Sequence, residues 1–260
     1  MTGAIALAGM AALRSGAGLV RLAVPEECLA TVAAHEPSYM TANLPGDEAG
    51  HISIRALPVL EELVQSATAT ACGPGLGRCR GLSHLVSRLY ERIDRPMVLD
   101  ADALTALADA GIFSEDRAPA SSPRVLTPHP GEFARLLGVS TADVQKQRET
   151  LASQFASRHG IALVLKGHRT IVTDGKRMAI NSTGNPGMAT GGTGDVLTGV
   201  ITALICQGLP AYEAARLGVH AHGLAGDLAA AELGQVSLIA SDLLRSLPAA
   251  FQALQDGNSL

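Results

Sequence analysis

Asn185-Pro186-Gly187-Met188-Ala189-Thr190-Gly191-Gly192-Thr193-Gly194-Asp195 runs directly into the apolar stretch Val196 to Gln207. A segment stripped of side-chain bulk that then turns helical is built to cradle an anion. Glycines let the backbone approach a ligand closely, and the free N–H groups of the first helical turn face it with the positive end of the helix dipole behind them. The loop is not a Walker A motif, because no Lys follows Gly194. An Asp set against bare glycines suits a general base for a hydroxyl that attacks phosphorus, whereas its plainer reading is a first-turn acid favoured by the dipole.

Working outward, the chain alternates between strand and helix signals. Apolar spacings of three and four mark Ala4 to Arg14 as a helix, and Leu19 to Val24 is short and aliphatic enough for a buried strand. Pro25 to His35 and Ile54 to Gln65 read as helices, Thr68 to Cys72 as a strand, Gly81 to Arg92 as an amphipathic helix and Pro96 to Asp100 as a strand. Asp102 is expected to cap the helix that follows. Val125 to Thr127 is a strand, followed by helices over Phe133 to Leu137 and Val144 to His159. Ala162 to Lys166 is a strand, and Thr170 to Thr173 and Met178 to Asn181 form a hairpin through the turn signal Asp174-Gly175. Val196 to Gln207, Ala211 to Leu233 and Ser241 to Leu254 complete a helical tail. Strands alternating with helices predict an α/β fold whose mainly parallel sheet is covered on both faces. No internal repeat or long linker divides the chain, so residues 1–260 read as a single domain.

Composition narrows the possible functions. Twenty Lys and Arg against 24 Asp and Glu give a net charge of −4, without the basic excess a nucleic-acid binder would carry. Apolar residues make up 47% and charged ones 17%, which is too hydrophobic for disorder. With no Trp and 3% aromatics, the core must come from Ala, Leu, Val and Ile. The apolar run Ala4 to Leu13 is about half the roughly 20 residues of a membrane span, and no basic segment precedes it. The four cysteines, Cys28, Cys72, Cys79 and Cys206, contain no C-x-x-C pair and no zinc or disulfide spacing. The expectation is a soluble cytoplasmic protein without a membrane or nucleic-acid partner.

Ligands in open α/β sheets bind beyond the carboxyl ends of the strands, which gives three further loops weight. Lys166-Gly167-His168-Arg169-Thr170 leaves a strand end and reads either as a phosphate-facing segment or as a solvated turn. His129 lies between two prolines in Thr127-Pro128-His129-Pro130-Gly131-Glu132, which restricts the backbone on either side of its imidazole. Gly73-Pro74-Gly75-Leu76-Gly77 follows a strand without completing the G-x-G-x-x-G dinucleotide fingerprint. Asp100, at a strand end, is a further candidate carboxylate. His220 and His222, two apart on a helix, face different directions and are expected in the core or at an interface. Cys72 and Cys79 have no evident base partner and read as small buried or loop residues.

Together these segments carry a resemblance. The G-G-T-G-D helix start after N-P-G resembles the ribokinase-like superfamily. Gly73 to Gly77, Leu99-Asp100-Ala101-Asp102-Ala103-Leu104, Thr127 to Glu132, Leu165-Lys166-Gly167 and Gly191 to Asp195 follow the order seen in ADP-dependent NAD(P)H-hydrate dehydratases. The match covers essentially the whole chain; T-P-H-P-G-E and G-G-T-G-D are its most specific parts. The resemblance implies a ribokinase-like three-layer sandwich, with a mainly parallel central sheet flanked by helices.

It also implies repair of hydrated nicotinamide cofactor: (6S)-NAD(P)H hydrate is phosphorylated on its ring hydroxyl by ADP, phosphate leaves, and NAD(P)H and AMP result. Asp195 would then deprotonate the hydroxyl, and Gly192, Thr193 and Gly194 would stabilise the transferred group. Lys166, Gly167, His168, Arg169 and Thr170 would hold the AMP part of the nucleotide. Ala4, Gly75, Gly77, His129 and Asp195 would meet the hydrated substrate, and Glu132 would order the water shell of a magnesium ion at the phosphates. Family members are often tetrameric, which adds a homo-oligomer to the expectation. They also carry an upstream strand and glycine-rich loop before the Gly3-Ala4 helix, so this chain is expected to lack them. Two other readings stay open: a kinase of a vitamin-precursor alcohol such as hydroxyethylthiazole, and a nucleotide-binding protein of impaired activity.

Overall fold

Leucine and valine alternate along the central strands, and that alternation builds the layers. The computed structural model describes residues 1–114 and 119–257. In chain order its elements are α1 (Thr2–Arg14), β1 (Val20–Pro25), α2 (Glu26–Ala33), β2 (Tyr39–Leu44), α3 (Leu57–Ser66), β3 (Thr70–Cys72), α4 (Arg80–Arg92), β4 (Met97–Leu99), α5 (Ala101–Asp109), β5 (Arg124–Leu126), α6 (Pro130–Leu137), α7 (Thr141–Lys146), α8 (Arg148–His159), β6 (Ala162–Leu165), β7 (Ile171–Thr173), β8 (Met178–Ile180), α9 (Thr193–Cys206), α10 (Ala211–Leu233) and α11 (Ala240–Gln255).

Strands β3 to β8 form a six-stranded sheet in sequence order, while β1 and β2 pair in a separate two-stranded sheet. Pairing is parallel from β3 to β6 and antiparallel through β7 and β8, where the expected hairpin forms. The register sets Val98 beside Val125 and Leu99 beside Leu126. Successive side chains of a strand point to opposite faces. Met97, Leu99, Leu126, Leu163 and Leu165 therefore enter one core, with Leu85, Leu104, Phe133 and Phe155 of α4, α5, α6 and α8. Val98, Val125, Ala162 and Val164 enter the other, with Ala11, Val200, Val219 and Leu243 of α1, α9, α10 and α11. The result is helices, sheet and helices in three layers, as expected.

Helices α1 and α9 approach closely because Gly199 has no side chain: a Cβ there would run into the Ala8 carbonyl oxygen and lie 2.8 Å from Ala11 Cβ. The middle of α9 is thereby held against α1. No helix among the described residues is long and apolar enough to cross a membrane.

Three local expectations are corrected. Tyr39–Leu44 forms a strand where none was expected, pairing parallel with β1. The expected Val144 to His159 helix is two helices, broken at Gln147, whose φ of −134° and ψ of 35° leave the helical range. Asp102 is not the cap of α5: Asp100 occupies that position and Asp102 lies inside the first turn.

Candidate active site

The parallel strands β3, β4, β5 and β6 all end on the same edge of the sheet, and each delivers one candidate loop there. Asp100 directly follows β4 and is 1% exposed. A buried carboxylate needs partners, and Asp100 has two. Its Oδ1 accepts from Lys166 Nζ at 2.6 Å and its Oδ2 accepts from the Thr198 hydroxyl at 2.9 Å. Lys166 follows β6, so the ion pair spans two strand ends. The residue after Asp100, Ala101, has a φ of 49°. That is rare for a residue with a Cβ and costs on the order of 1–3 kcal/mol, strain of a kind that concentrates at functional sites.

The start of α9 completes this centre. A Cβ built on Gly194 would lie 3.3 Å from Lys166 Nζ and 3.5 Å from Asp100 Oδ2, so only hydrogen separates the loop backbone from the ion pair. Asp195 stands beside it. Burial and the Asp100 carboxylate push Asp195 up to about 6, against the pull of Lys166. A carboxyl in that range is matched to accept a proton near neutral pH. The Thr193 hydroxyl donates to the Met188 and Thr190 carbonyls and closes the glycine-rich turn.

Glu132 and His129 sit at the head of α6, after β5. His129 is the N-cap; its Nδ1 accepts from the Gly131 and Glu132 N–H groups, and Glu132 Oε2 accepts from the His129 N–H at 2.8 Å. The reciprocal box, added to the flanking prolines, fixes the imidazole. With Nδ1 accepting, the neutral ring carries its proton on Nε2, 3.4 Å from Glu132 Oε1. Lys166 Nζ lies 3.9 Å from Glu132 Oε2, so the Lys166 ammonium stands between Asp100 and Glu132. Burial raises the Glu132 carboxyl above its ordinary value, with Lys166 opposing.

The glycine-rich loop after β3 forms a second wall. Gly73 has a φ of 130°, and a Cβ there would collide with the Asp100 carbonyl oxygen. Gly75 meets α1: a Cβ on it would lie 3.1 Å from the Ala4 methyl. Ala4 and Gly75, both expected at the substrate, are thus neighbours. Gly77 donates its N–H to Asp102 Oδ2 at 2.8 Å, which is the real task of Asp102. Cys72 is half-buried at the end of β3, and desolvation pushes its thiol up to about 12.

The Lys166 to Thr170 segment is shaped by groups that sequence reading missed. Arg148 donates to the His168 carbonyl at 2.7 Å and to the Leu165 carbonyl at 3.3 Å, reaching back from α8. Thr170 donates to the Gly167 carbonyl, and Arg169 has a φ of 54°. Gly167, His168 and Arg169 are exposed, and Thr170 is half-buried. Of these five residues, Lys166 is the one drawn into the Asp100–Gly194 centre. Asp227 was missed too. Asp227 accepts from the Gly184 N–H at 2.7 Å and from Asn185 Nδ2 at 2.9 Å, tying the loop before α9 to α10. His222 is buried in α10 as expected, yet it touches the site: its ring Nε2 donates to the Thr193 carbonyl at 2.9 Å. Burial lowers it to about 4, so it stays neutral and serves as a fixed donor. His220 lines a cavity of about 350 Å³ with Asn181, Ser182 and Arg216.

The family model described as NAD(P)H-hydrate dehydratase matches residues 1–249. The chain belongs to the NAD(P)H-hydrate dehydratase family. Among curated relatives, it is 46% identical over 259 residues to the bifunctional NAD(P)H-hydrate repair enzyme Nnr of Moorella thermoacetica, covering 98% of this chain and 48% of that protein. The chain thus spans about half the length of the curated relatives it matches. Among solved structures, the ADP/ATP-dependent NAD(P)H-hydrate dehydratase of Bacillus subtilis, co-crystallised with ATP and magnesium and soaked with CoA, superposes with a TM-score of 0.80 at 29% identity, covering 97% of this chain and 87% of that one. The hydroxyethylthiazole kinase of Pyrococcus horikoshii shares the fold at a TM-score of 0.60 and 18% identity, covering 96% and 94%. The titratable groups thus gather on the carboxyl edge of a ribokinase-like sheet.

Proposed function

We propose that this protein restores hydrated nicotinamide cofactor: ADP-dependent dehydration of (6S)-NAD(P)H hydrate to NAD(P)H, with AMP and phosphate as the other products. The observation that carries this reading is Asp195, set beside the Lys166–Asp100 pair at the mouth of a glycine-rich helix N-terminus and raised to about 6. Asp195 takes the proton of the ring hydroxyl as that oxygen bonds to the terminal phosphorus of ADP, and the bond to the AMP oxygen breaks. The carbon–oxygen bond then breaks, phosphate leaves with the electron pair, and loss of a ring proton restores the double bond. The N–H groups around Gly192, Thr193 and Gly194, together with the Lys166 ammonium, offset charge on the transferred group.

Gly167, His168, Arg169 and Thr170 hold the AMP portion in this reading, on a segment whose backbone Arg148 fixes. Ala4, Gly75, Gly77 and His129 line the hydrated ring's side. Magnesium suits the hard oxygen donors gathered here. Among the described residues, Asp100, Glu132 and Asp195 do not converge closely enough to chelate an ion alone, which fits an ion held through phosphates and water. Glu132 would hold that water shell, and the ion would supply charge neutralisation at the phosphates.

We extend the proposal to a single unit over residues 1–260 that assembles as a homo-oligomer. Met178 and Ile180 on the edge strand β8, each 38% exposed, support an interface there. The vitamin-precursor kinase reading rests on the shared fold alone. The deciding experiment mixes purified protein, magnesium and hydrated cofactor with ADP, with ATP or with neither, and follows absorbance at the reduced-nicotinamide band. Recovery that requires a nucleotide supports the repair reaction. No recovery, with nucleotide binding intact, would instead favour the kinase or the impaired-binder reading.

A further inference from the structure

Asp47, His51 and Cys79 meet in space outside the Asp195 centre, with one donor atom from each within 4.8 Å of the others. Asp47 and His51 belong to the loop after β2. Asp47 Oδ1 accepts the Ala49 and His51 N–H groups at 2.9 Å each, closing a turn that sets His51 Nδ1 3.5 Å from the same oxygen. Nδ1 is shielded from water and makes no hydrogen bond there. Cys79 stands at the N-cap of α4 with no side-chain capping bond, and it is a free cysteine.

One carboxylate, one imidazole and one thiol from two separate chain segments are the donor types that borderline ions select. Tetrahedral bonds of about 2.1 Å place neighbouring nitrogen and oxygen donors roughly 3.4 Å apart. The 3.5 Å between His51 Nδ1 and Asp47 Oδ1 already has that span. With the sulfur within 4.8 Å of both, it needs to close by at most about 1 Å to reach bonding separations, which a side-chain rotation can supply. Asp47 and a Cys79 thiolate would also balance the charge of a divalent ion.

We infer that Asp47, His51 and Cys79 form a site for a transition-metal ion of the zinc class, with an open fourth position. Its consequence is local. The His51 ring faces the glycine loop, since a Cβ on Gly77 would lie 3.1 Å from His51 Cδ2. A bound ion would clip the loop after β2 to the Gly73–Gly77 wall and to the start of α4. This inference stands apart from the proposed reaction.

The test titrates the tag-free, metal-depleted chain with Co²⁺, a spectroscopic stand-in for Zn²⁺. The expected result is one equivalent bound, with a thiolate-to-cobalt charge-transfer band in the near ultraviolet that Zn²⁺ abolishes and excess Mg²⁺ does not. Cys79→Ser should lose the band, and His51→Ala should weaken Co²⁺ binding at least about tenfold, both with unchanged far-ultraviolet circular dichroism. A wild-type protein without the band would overturn the inference. So would a band that survives Cys79→Ser, because the sulfur ligand would then be another cysteine. If Cys79→Ser fails to fold, His51→Ala alone decides: Co²⁺ affinity equal to wild type refutes the site.

Discussion

Asp195→Asn should make the protein more stable while nearly abolishing turnover. Burial and Asp100 hold the Asp195 carboxyl at about 6, against an ordinary value of 3.8. Between those values the native fold binds more protons than the unfolded chain. The stability from this group is therefore fully present below 3.8 and is lost as pH rises through about 6. At pH 7 the fold carries an ionised, half-buried carboxylate that it holds less well than the neutral form. A shift of about two units corresponds to roughly 3 kcal/mol. Solvent still reaches the group, and halving for screening leaves a gain of roughly 1–2 kcal/mol for the neutral amide. That equals a Tm higher by about 2–6 °C for a protein of this size. At pH 4 the gain should shrink to a few tenths of a kcal/mol, because the wild-type carboxyl is then protonated in the fold. Loss of the general base should slow turnover roughly a hundred- to ten-thousand-fold. Urea midpoints of both proteins at pH 7 and pH 4, beside the recovery rate of reduced nicotinamide, make the test. A variant less stable than wild type at pH 7, or stabilised equally at both pH values, would refute the reasoning.

Three further outcomes follow from named contacts. Arg148→Met removes the donors to the His168 and Leu165 carbonyls; steady-state kinetics should show the nucleotide KM rising roughly tenfold while the hydrated-cofactor KM stays put, and equal changes in both would detach Arg148 from the nucleotide segment. Glu132→Gln keeps an acceptor for the His129 N–H, since Gln also serves a capping box, but removes the charge; the magnesium concentration for half-maximal activity should rise with Tm unchanged, and an unaltered titration would leave Glu132 only its capping role. Gly199→Ala drives a methyl into the Ala8 carbonyl oxygen and should cost about 1–3 kcal/mol in urea unfolding; a neutral effect would mean α1 and α9 are held less tightly than their geometry shows.

What could be read from the sequence follows the range of the interactions. Aliphatic strands, the Asp174-Gly175 hairpin and the Gly191–Asp195 helix start are short-range patterns, and they located the sheet and its loaded edge. Tyr39–Leu44 was overlooked although Met40, Ala42 and Leu44 alternate with the exposed Thr41 and Asn43, the period-two pattern of a half-buried strand, and the segment pairs parallel with β1. Asp102 looked like a cap because Asp often begins helices. Its carboxylate is instead used by Gly77, across a separation of 25 residues that no local rule reaches. The contacts of Arg148, Asp227 and His222 were invisible for the same reason, since each acts on backbone carbonyl or N–H groups of a distant loop. Asp100 was one of two candidate acids at its strand end. Its contacts with Lys166 and Thr198, residues far along the chain, distinguish it as the buried one.

The most direct test of the proposed chemistry is phosphorus magnetic resonance of a reaction containing hydrated cofactor, ADP, magnesium and the protein. One AMP and one inorganic phosphate should appear for each reduced nicotinamide restored, and Asp195→Asn should stop all three together. Restoration of the coenzyme with ADP left unchanged would contradict phosphoryl transfer at the Gly192–Asp195 helix start, and with it the role given to Asp195.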